Sequence, residues 1–421
     1  MKIKVGVLFG GKTVEHEISV ISAIQAMGYL DTNKYDVIPI YITKNNEFYV
    51  GEDVGKIESY TDINSLIKNS QRVVMVWDEN KVKLIKYPQK MLSKGYVDYI
   101  DIAFPVVHGT NVEDGTLQGY LQMMNIPYVG CDVLSSAVGM DKYVMKTVLK
   151  DNGIPVLDCK CYTANQYDEN EDALIEEIES AIGYPVIVKP VNLGSSIGIS
   201  KAENRTELYD SLETAFQYAT KVLIETAVQN LKEINCSVLG DYESAEASEC
   251  EEPVSSDKIL TFAEKYIGDG SAKGAKGAKG GVKSSGGSKG MATLKRKIPA
   301  DITSEQRDTI RELAVKAFKC LGCGGVSRID FMMDTKTGNI WLNEINTIPG
   351  SLSFYLWEPV GVKYTELLDR MISLALKRER ENENITYTFD SNVLQGVKLG
   401  GGTKGAKGTK AEKYLSRGLF L

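Results

Sequence analysis

Residues 2–42 alternate in a way that few folds accommodate. Lys2–Gly11 (KIKVGVLFGG) is a short apolar run closed by two glycines, Ile18–Leu30 carries apolar residues at helical spacing, and Tyr35–Ile42 is a second apolar, β-rich run. A strand that enters a helix and returns as a strand is solved most simply by a parallel pair with the helix packed across it. Apolar runs at Ile100–Val107 and Pro127–Val129, with a helical stretch at Gln118–Met124, continue the pattern. The expectation is a parallel sheet with covering helices. Residues 45–95 are too polar to place. The first run is short and ends in glycines, so it reads as a buried strand and not as a secretory signal.

Length and charge narrow the reading by exclusion. At 421 residues the chain exceeds one ordinary core, and roughly two to four domains are expected. Lys plus Arg is 49 and Asp plus Glu is 56, a net charge of -7 that argues against a nucleic-acid binder. No apolar run reaches about 18 residues, so no membrane span is expected. Seven cysteines are too sparse for a disulfide scaffold. Cys320 with Cys323, and Cys159 with Cys161, read as small buried hydrophobes or as a zinc or redox pair; no histidine lies near either, which favours the first.

The sharpest chemistry lies in two runs that read as a hairpin, Val326–Met333 and Asn339–Asn346, joined by a Thr-Lys-Thr-Gly turn. Alternation puts Arg328 and Asp330 on one face of the first strand, and Glu344 and Asn346 on one face of the second. If those faces coincide, two carboxylates, an amide oxygen and a guanidinium meet. That set suits Mg²⁺ held together with phosphates; the competing reading is a solvated face of surface ion pairs.

Three further segments could hold an anionic ligand. Lys189 ends a buried strand and leads into Gly194-Ser195-Ser196-Ile197-Gly198, a loop able to fold over phosphates, although it is not a Walker A motif. Gly10-Gly11 turns into a helix whose N-terminus favours anions, with Glu15 and Glu17 in its first turn. The loop after Val107, HGTNVEDGTLQG, lies at a strand's carboxyl end, where α/β folds bind ligands. The chain's two histidines, His16 and His108, fall in these loops. Residues 271–290 and 396–410 are glycine- and lysine-rich. The first reads as a mobile lid or as a tolerated insertion, and the second as a disordered tail.

In combination these segments resemble the D-alanine–D-alanine ligases of the ATP-grasp superfamily. The matching pieces run in order: GGKTVEHEISVISA (10–23), HGTNVEDGTLQG (108–119), MDK (140–142), VIVKPVNLGSSIGIS (186–200), EKY (264–266), IPAD (298–301), SRIDFMM (327–333) and NEINTIPG (343–350). The resemblance implies a mixed α/β and α+β chain, an ATP-grasp fold behind an N-terminal Rossmann-like domain. Its parts would be residues 1–135, a central subdomain at 136–226, a C-terminal subdomain at 227–380 with a lid at 266–297, and a low-complexity extension at 381–421. It also implies a cytoplasmic, homodimeric, ADP-forming enzyme of peptidoglycan precursor synthesis. The carboxylate of one D-alanine takes the γ-phosphate of ATP, and the amine of a second amino acid then displaces phosphate from the acyl phosphate.

Roles carry over on the matching motifs. Glu15 would hold the first ammonium, supported by Ser195, and Lys142, Lys189, Ser195 and Ser196 would take the ATP phosphates. Glu225, Val228 and Glu233 fall where the family holds adenine and ribose, and Lys265 and Tyr266 in the lid. Lys265 would touch both ATP and substrate. Asp330, Glu344 and Asn346 would hold two Mg²⁺, with Mn²⁺ as a substitute. Arg328 and the backbone N–H of Gly350 would stabilise the oxyanion, and His108 and Glu113 would line the amino-acid pocket. Tyr266 resembles the amide-forming members, so an amine acceptor is expected. The chain departs from the family in two places: Val112 replaces a usual glycine, and Tyr355 stands near the usual serine for the second substrate's carboxylate. The alternatives are a ligase with D-serine or another amino acid as acceptor, less so D-lactate, and a nucleotide-binding protein that has lost ligation.

Overall fold

The computed structural model describes residues 2–78, 81–89, 95–194, 197–254 and 296–391. Ser195, Ser196, Lys265, Tyr266, the lid up to residue 295 and the tail from residue 392 lie outside the described residues. Contacts group Met1–Glu379 into one unit and Arg380–Leu421 into another; the described start of the second ends the last helix. Among the described residues the strands form three sheets.

The first sheet contains β1 (Ile3–Gly10), β2 (Tyr35–Ile42), β3 (Phe48–Val50), β4 (Gln71–Asp78), β5 (Lys81–Lys86), β6 (Tyr96–Ile100) and β7 (Ile102–Pro105), in the order β6-β5-β4-β3-β2-β1-β7. β1 pairs in parallel with β2 and β7, with the helix His16–Tyr29 between β1 and β2. The expected all-parallel sheet is corrected here: β2 through β6 form an antiparallel meander. Several of its loops are too short for a parallel crossover, which needs a dozen or more residues. β4 and β5 alternate buried Val73, Met75, Val82 and Leu84 with more exposed neighbours, the pattern of a sheet wet on one face. That polarity is why residues 45–95 resisted placement. The expected strand at Pro127–Val129 is a single bridge, Ala103 to Tyr128.

The second sheet holds β8 (Cys159–Thr163), β9 (Val186–Pro190), β10 (Ser200–Ala202) and β11 (Lys221–Thr226), antiparallel in the order β10-β9-β11-β8. Leu174, Ile175, Ile178, Leu208 and Leu212 from two helices share its core. The third sheet holds β12 (Leu231–Gly240), β13 (Ala245–Pro253), β14 (Arg296–Lys297), β15 (Gly325–Asp334) and β16 (Ile340–Asn346), ordered β14-β13-β12-β15-β16. The helix Ser304–Cys320 covers it. Its cap is Thr303, in a capping box with Gln306.

One contact ties the last described helix to the first sheet. Leu367, Leu368 and Met371 of the helix Tyr364–Asn382 bury into the core of the first sheet, alongside Val5, Ile102 and Phe104. The segment after β16 is therefore carried back against the β1 region.

Candidate active site

The site is built on one face of the third sheet. Register places Glu251 opposite Asn235, Asn235 opposite Asp330, and Asp330 opposite Glu344. A polar row thus crosses β13, β12, β15 and β16, with strands about 4.8 Å apart. Positions two apart share the face, which adds Glu233, Arg328 and Asn346. The row lines a cavity together with Glu15, Lys142, Gly350 and Tyr355.

Arg328 and Asp330 interlock. Arg328 Nε and Nη2 donate to the two Asp330 oxygens at 2.7 and 2.6 Å, and Asn346 Nδ2 donates to Asp330 at 3.1 Å. Burial alone would lower the Arg328 pKa, but the Asp330 charge holds it well above the usual arginine range. Among the described residues no three His, Cys, Asp or Glu cluster as metal ligands. The Asp330, Glu344 and Asn346 set reaches three only through an amide. Its donors are oxygens, which fits a hard divalent cation sharing its shell with phosphates.

A bulge adds a residue that sequence reasoning missed. Asp330 faces Glu344, yet Phe331 faces Leu342, so Asn343 is extra in β16. Asn343 and Glu344 both line the cleft, and Asn343 Oδ1 accepts from Lys189 Nζ at 2.9 Å. Strict alternation would have turned Asn343 away; the adjacent polar pair in NEIN was the available signal.

A second cavity, about 760 Å³, adjoins the first, and Glu233, Asn343 and Glu344 line both. That volume lies in the range of small-molecule sites. Lys189, Glu225 and Val228 also line it. Glu225 is fully buried, and both Lys146 and Lys189 reach its carboxylate. Burial would push the carboxyl up, but the two ammonium groups outweigh it and hold Glu225 down to about 2. Lys146 was not anticipated; it lies one helical turn after Lys142, which was the signal to follow. Lys142 donates to the Leu193 carbonyl at 2.7 Å and meets Glu344 at 3.2 Å.

Loops from the first sheet close the other side. Glu15 is buried just before the helix His16–Tyr29. A Cβ at Gly109 would lie 2.8 Å from Glu15 Oε2, and one at Gly194 3.2 Å away, so glycine at both positions lets two loops close on this carboxylate. Val112 is buried against Gly11, which has no side chain there to oppose it.

His108 and Glu113 line the cavity, but their polar atoms hold a loop. Glu113 accepts from the backbone N–H of Gly109 and of Ile348, both at 2.9 Å. Burial pushes Glu113 up to about 8 against those donors, and the Glu15 charge adds to the rise. His108 Nδ1 lies 2.8 Å from the Ile348 carbonyl and Nε2 2.9 Å from Ser22 Oγ. A carbonyl only accepts, so Nδ1 carries the proton and Nε2 accepts from the serine. Ser22 Oγ in turn accepts from Ser351 N–H at 3.1 Å. Residues Ile348–Ser351, including Gly350, are thereby pinned from both sides. The pinning matters because Ser351, Leu352 and Ser353 all have φ near +50°. Such left-handed geometry costs roughly 1–2 kcal/mol per non-glycine residue.

This histidine predicts a pH dependence. Burial lowers His108 to about 4, below the ordinary value of about 6.5. Between those values the unfolded chain binds more protons, so stability is complete above about pH 6.5, falls as pH drops from there to about 4, and levels off below it. The loss is about 3 kcal/mol. Urea unfolding from pH 7 to pH 4 is expected to show this slope, and His108→Asn to flatten it.

Two antiparallel sheets around a cleft lined with lysines and carboxylates define the ATP-grasp class of ligases. The family description of the D-ala D-ala ligase N-terminus matches residues 4–131, and that of the C-terminus matches residues 148–279 and 288–373. A D-alanine–D-alanine ligase of Thermosipho melanesiensis is 38% identical over 398 residues, 94% of this chain and 99% of the relative. The solved D-Ala:D-Ser ligase of Enterococcus faecalis aligns with a TM-score of 0.71 at 33% identity, over 89% of this chain and 100% of its own. The D-alanine–D-alanine ligase of Coxiella burnetii also gives 0.71, at 28% identity, over 91% and 96%. The chain belongs to the D-alanine–D-alanine ligase family. The C-terminal match passes over residues 280–287, inside the glycine- and lysine-rich stretch.

Proposed function

We propose that this chain joins two D-alanines in an ATP-dependent, ADP-forming reaction through a D-alanyl phosphate, for peptidoglycan precursors. The observation that carries the reading is the row Asn235, Asp330 and Glu344 facing one cavity with Arg328, Glu15 and Gly350. Most of these residues then have a task. The Glu15 carboxylate holds the first ammonium. Lys142 and Lys189 stand at the boundary of the two cavities and balance phosphate charge. Val228 and Glu233 line the larger cavity, on the nucleotide side, with Glu225 setting the two lysines. Asp330, Glu344 and Asn346 would hold two Mg²⁺, or Mn²⁺ in their place, which would offset phosphate charge. Ser195, Ser196, Lys265 and Tyr266 keep the parts that the family resemblance implies.

The oxyanion formed as the amine attacks is met by Arg328, held rigid by Asp330, and by the N–H of Gly350. Glu113 and His108 act through the Ile348–Ser351 loop that presents Gly350. The same reading carries the divisions 1–135, 136–226 and 227–380, a cytoplasmic location and a homodimer. No helix among the described residues is long and apolar enough to cross a membrane.

Phosphate release from Mg-ATP tests the proposal, with D-alanine alone and with D-alanine paired with D-serine, L-amino acids or D-lactate, and with products weighed. Release with D-alanine alone, giving the dipeptide, is expected. Release only with another partner would reassign the acceptor. No release with any pairing would overturn the ligase reading.

A further inference from the structure

One end of the first cavity has no task in the reaction described above. Glu251 is buried on β13, with both oxygens engaged. Its Oε1 accepts from Asn235 Nδ2 at 3.0 Å and from the Tyr355 hydroxyl at 3.2 Å, and its Oε2 accepts from Arg296 Nη1 at 3.1 Å. The Arg296 guanidinium also lies 3.9 Å over the Tyr355 ring. Arg296 pairs with Pro253, two residues from Glu251, and so shares its face. All of these residues line the cavity that holds Glu15, Arg328 and Gly350.

We propose that Arg296 binds the carboxylate of the acceptor amino acid, with Glu251 and Tyr355 as the positioning residues that aim it. The proposal rests on the ligase reading and deepens it. The sequence pointed to Tyr355 for this task, but a phenol has one proton to donate, and Tyr355 gives it to Glu251. Burial, with the Glu251 charge adding to it, pushes Tyr355 up to about 12, so the proton stays there at working pH. A negative Glu251 alone would repel an acceptor carboxylate; a neighbouring cation offsets that charge and presents N–H donors to the carboxylate. Among the described residues lining the cavity the cations are Lys142, Arg296 and Arg328. Lys142 sits at the opposite end against Glu344, and Arg328 is locked onto Asp330 in mid-row, beside the acyl centre. Among the described residues, Arg296 is the cation at the acceptor end. Its planar fork matches a carboxylate, and stacking on a ring holds the fork in place.

The experiment is a competition between two acceptors in one reaction. The enzyme, with Mg-ATP and D-alanine as donor, is offered equal D-alanine and D-alaninamide, and the two products are resolved by mass. The amide keeps the amine and methyl but lacks the carboxylate. The parent enzyme is expected to favour the dipeptide acid, and Arg296→Ala to shift the product ratio towards the amide by tenfold to a hundredfold. Arg296→Lys, which keeps a cation, is expected to restore most of the ratio. Tyr355→Phe is expected to shift it less than about threefold, because the hydroxyl is not the ligand. If Arg296→Ala does not fold, Arg296→Gln decides by the same ratio. A parent ratio retained without Arg296, or lost in Tyr355→Phe alone, would overturn the assignment. No dipeptide from the parent enzyme would instead fail the ligase reading itself.

Discussion

Asp330→Asn is expected to abolish turnover in a protein that still folds. Asp330 is the centre of the row: it pairs with Arg328 through both oxygens, accepts from Asn346, and faces Glu344 across the hairpin. Asparagine keeps the shape and one acceptor, so Arg328 retains a partner. It removes the charge that orients Arg328 and one anionic oxygen from the set that suits a divalent cation. Losing one such group costs about 10²–10³-fold in kcat, and Asp330 serves two purposes, so a loss of about 10³-fold or more is expected. Glu344→Gln separates the two, because Glu344 meets Lys142 and not Arg328 among the ion pairs at the site. Phosphate release beside a thermal melt makes the check. Ordinary turnover in both folded variants would remove the assignment of the row to phosphoryl chemistry.

The second large effect is on stability. Glu225 is fully buried between Lys146 and Lys189, whose side chains are 2% and 6% exposed. Glu225→Ala would leave two buried ammonium groups facing each other without the charge that offsets them. Removing one partner of a buried ionic set costs about 3–5 kcal/mol, and the upper end is expected because two cations share this carboxylate. Urea unfolding measures the loss. Adding Lys146→Met to Glu225→Ala removes one stranded charge and is expected to recover part of it. A single variant within about 1 kcal/mol of the parent would show that water reaches the lysines and that the triad is not a closed unit.

Much of the candidate site was legible because its signals are local. The spacing of Arg328 and Asp330, and of Glu344 and Asn346, follows from two-residue alternation, and the hairpin turn lies in the same short stretch. Glycines at 109 and 194 were visible as loop residues, although not as the gaps that admit Glu15. The meander β3–β6 was not legible, since one wetted face makes a strand look like loop.

What the amino-acid sequence alone determined is the character of its strongly patterned segments: which apolar runs form buried strands, which face of the Val326–Asn346 hairpin carries charge, and which loops follow a strand's end. Those are properties of neighbours along the chain, governed by backbone period and side-chain type. The tertiary structure decided which faces meet. The bulge that turns Asn343 into the cleft depends on how β16 pairs with β15. Lys146 and Lys189 converge on Glu225 only because the helix Lys142–Asp151 packs near β9 and β11. Glu251, Asn235, Asp330 and Glu344 become one row only once two hairpins from distant parts of the chain, β12–β13 and β15–β16, adopt a common register. Register is set by burying one face of a sheet as a whole, and no local window contains that sum.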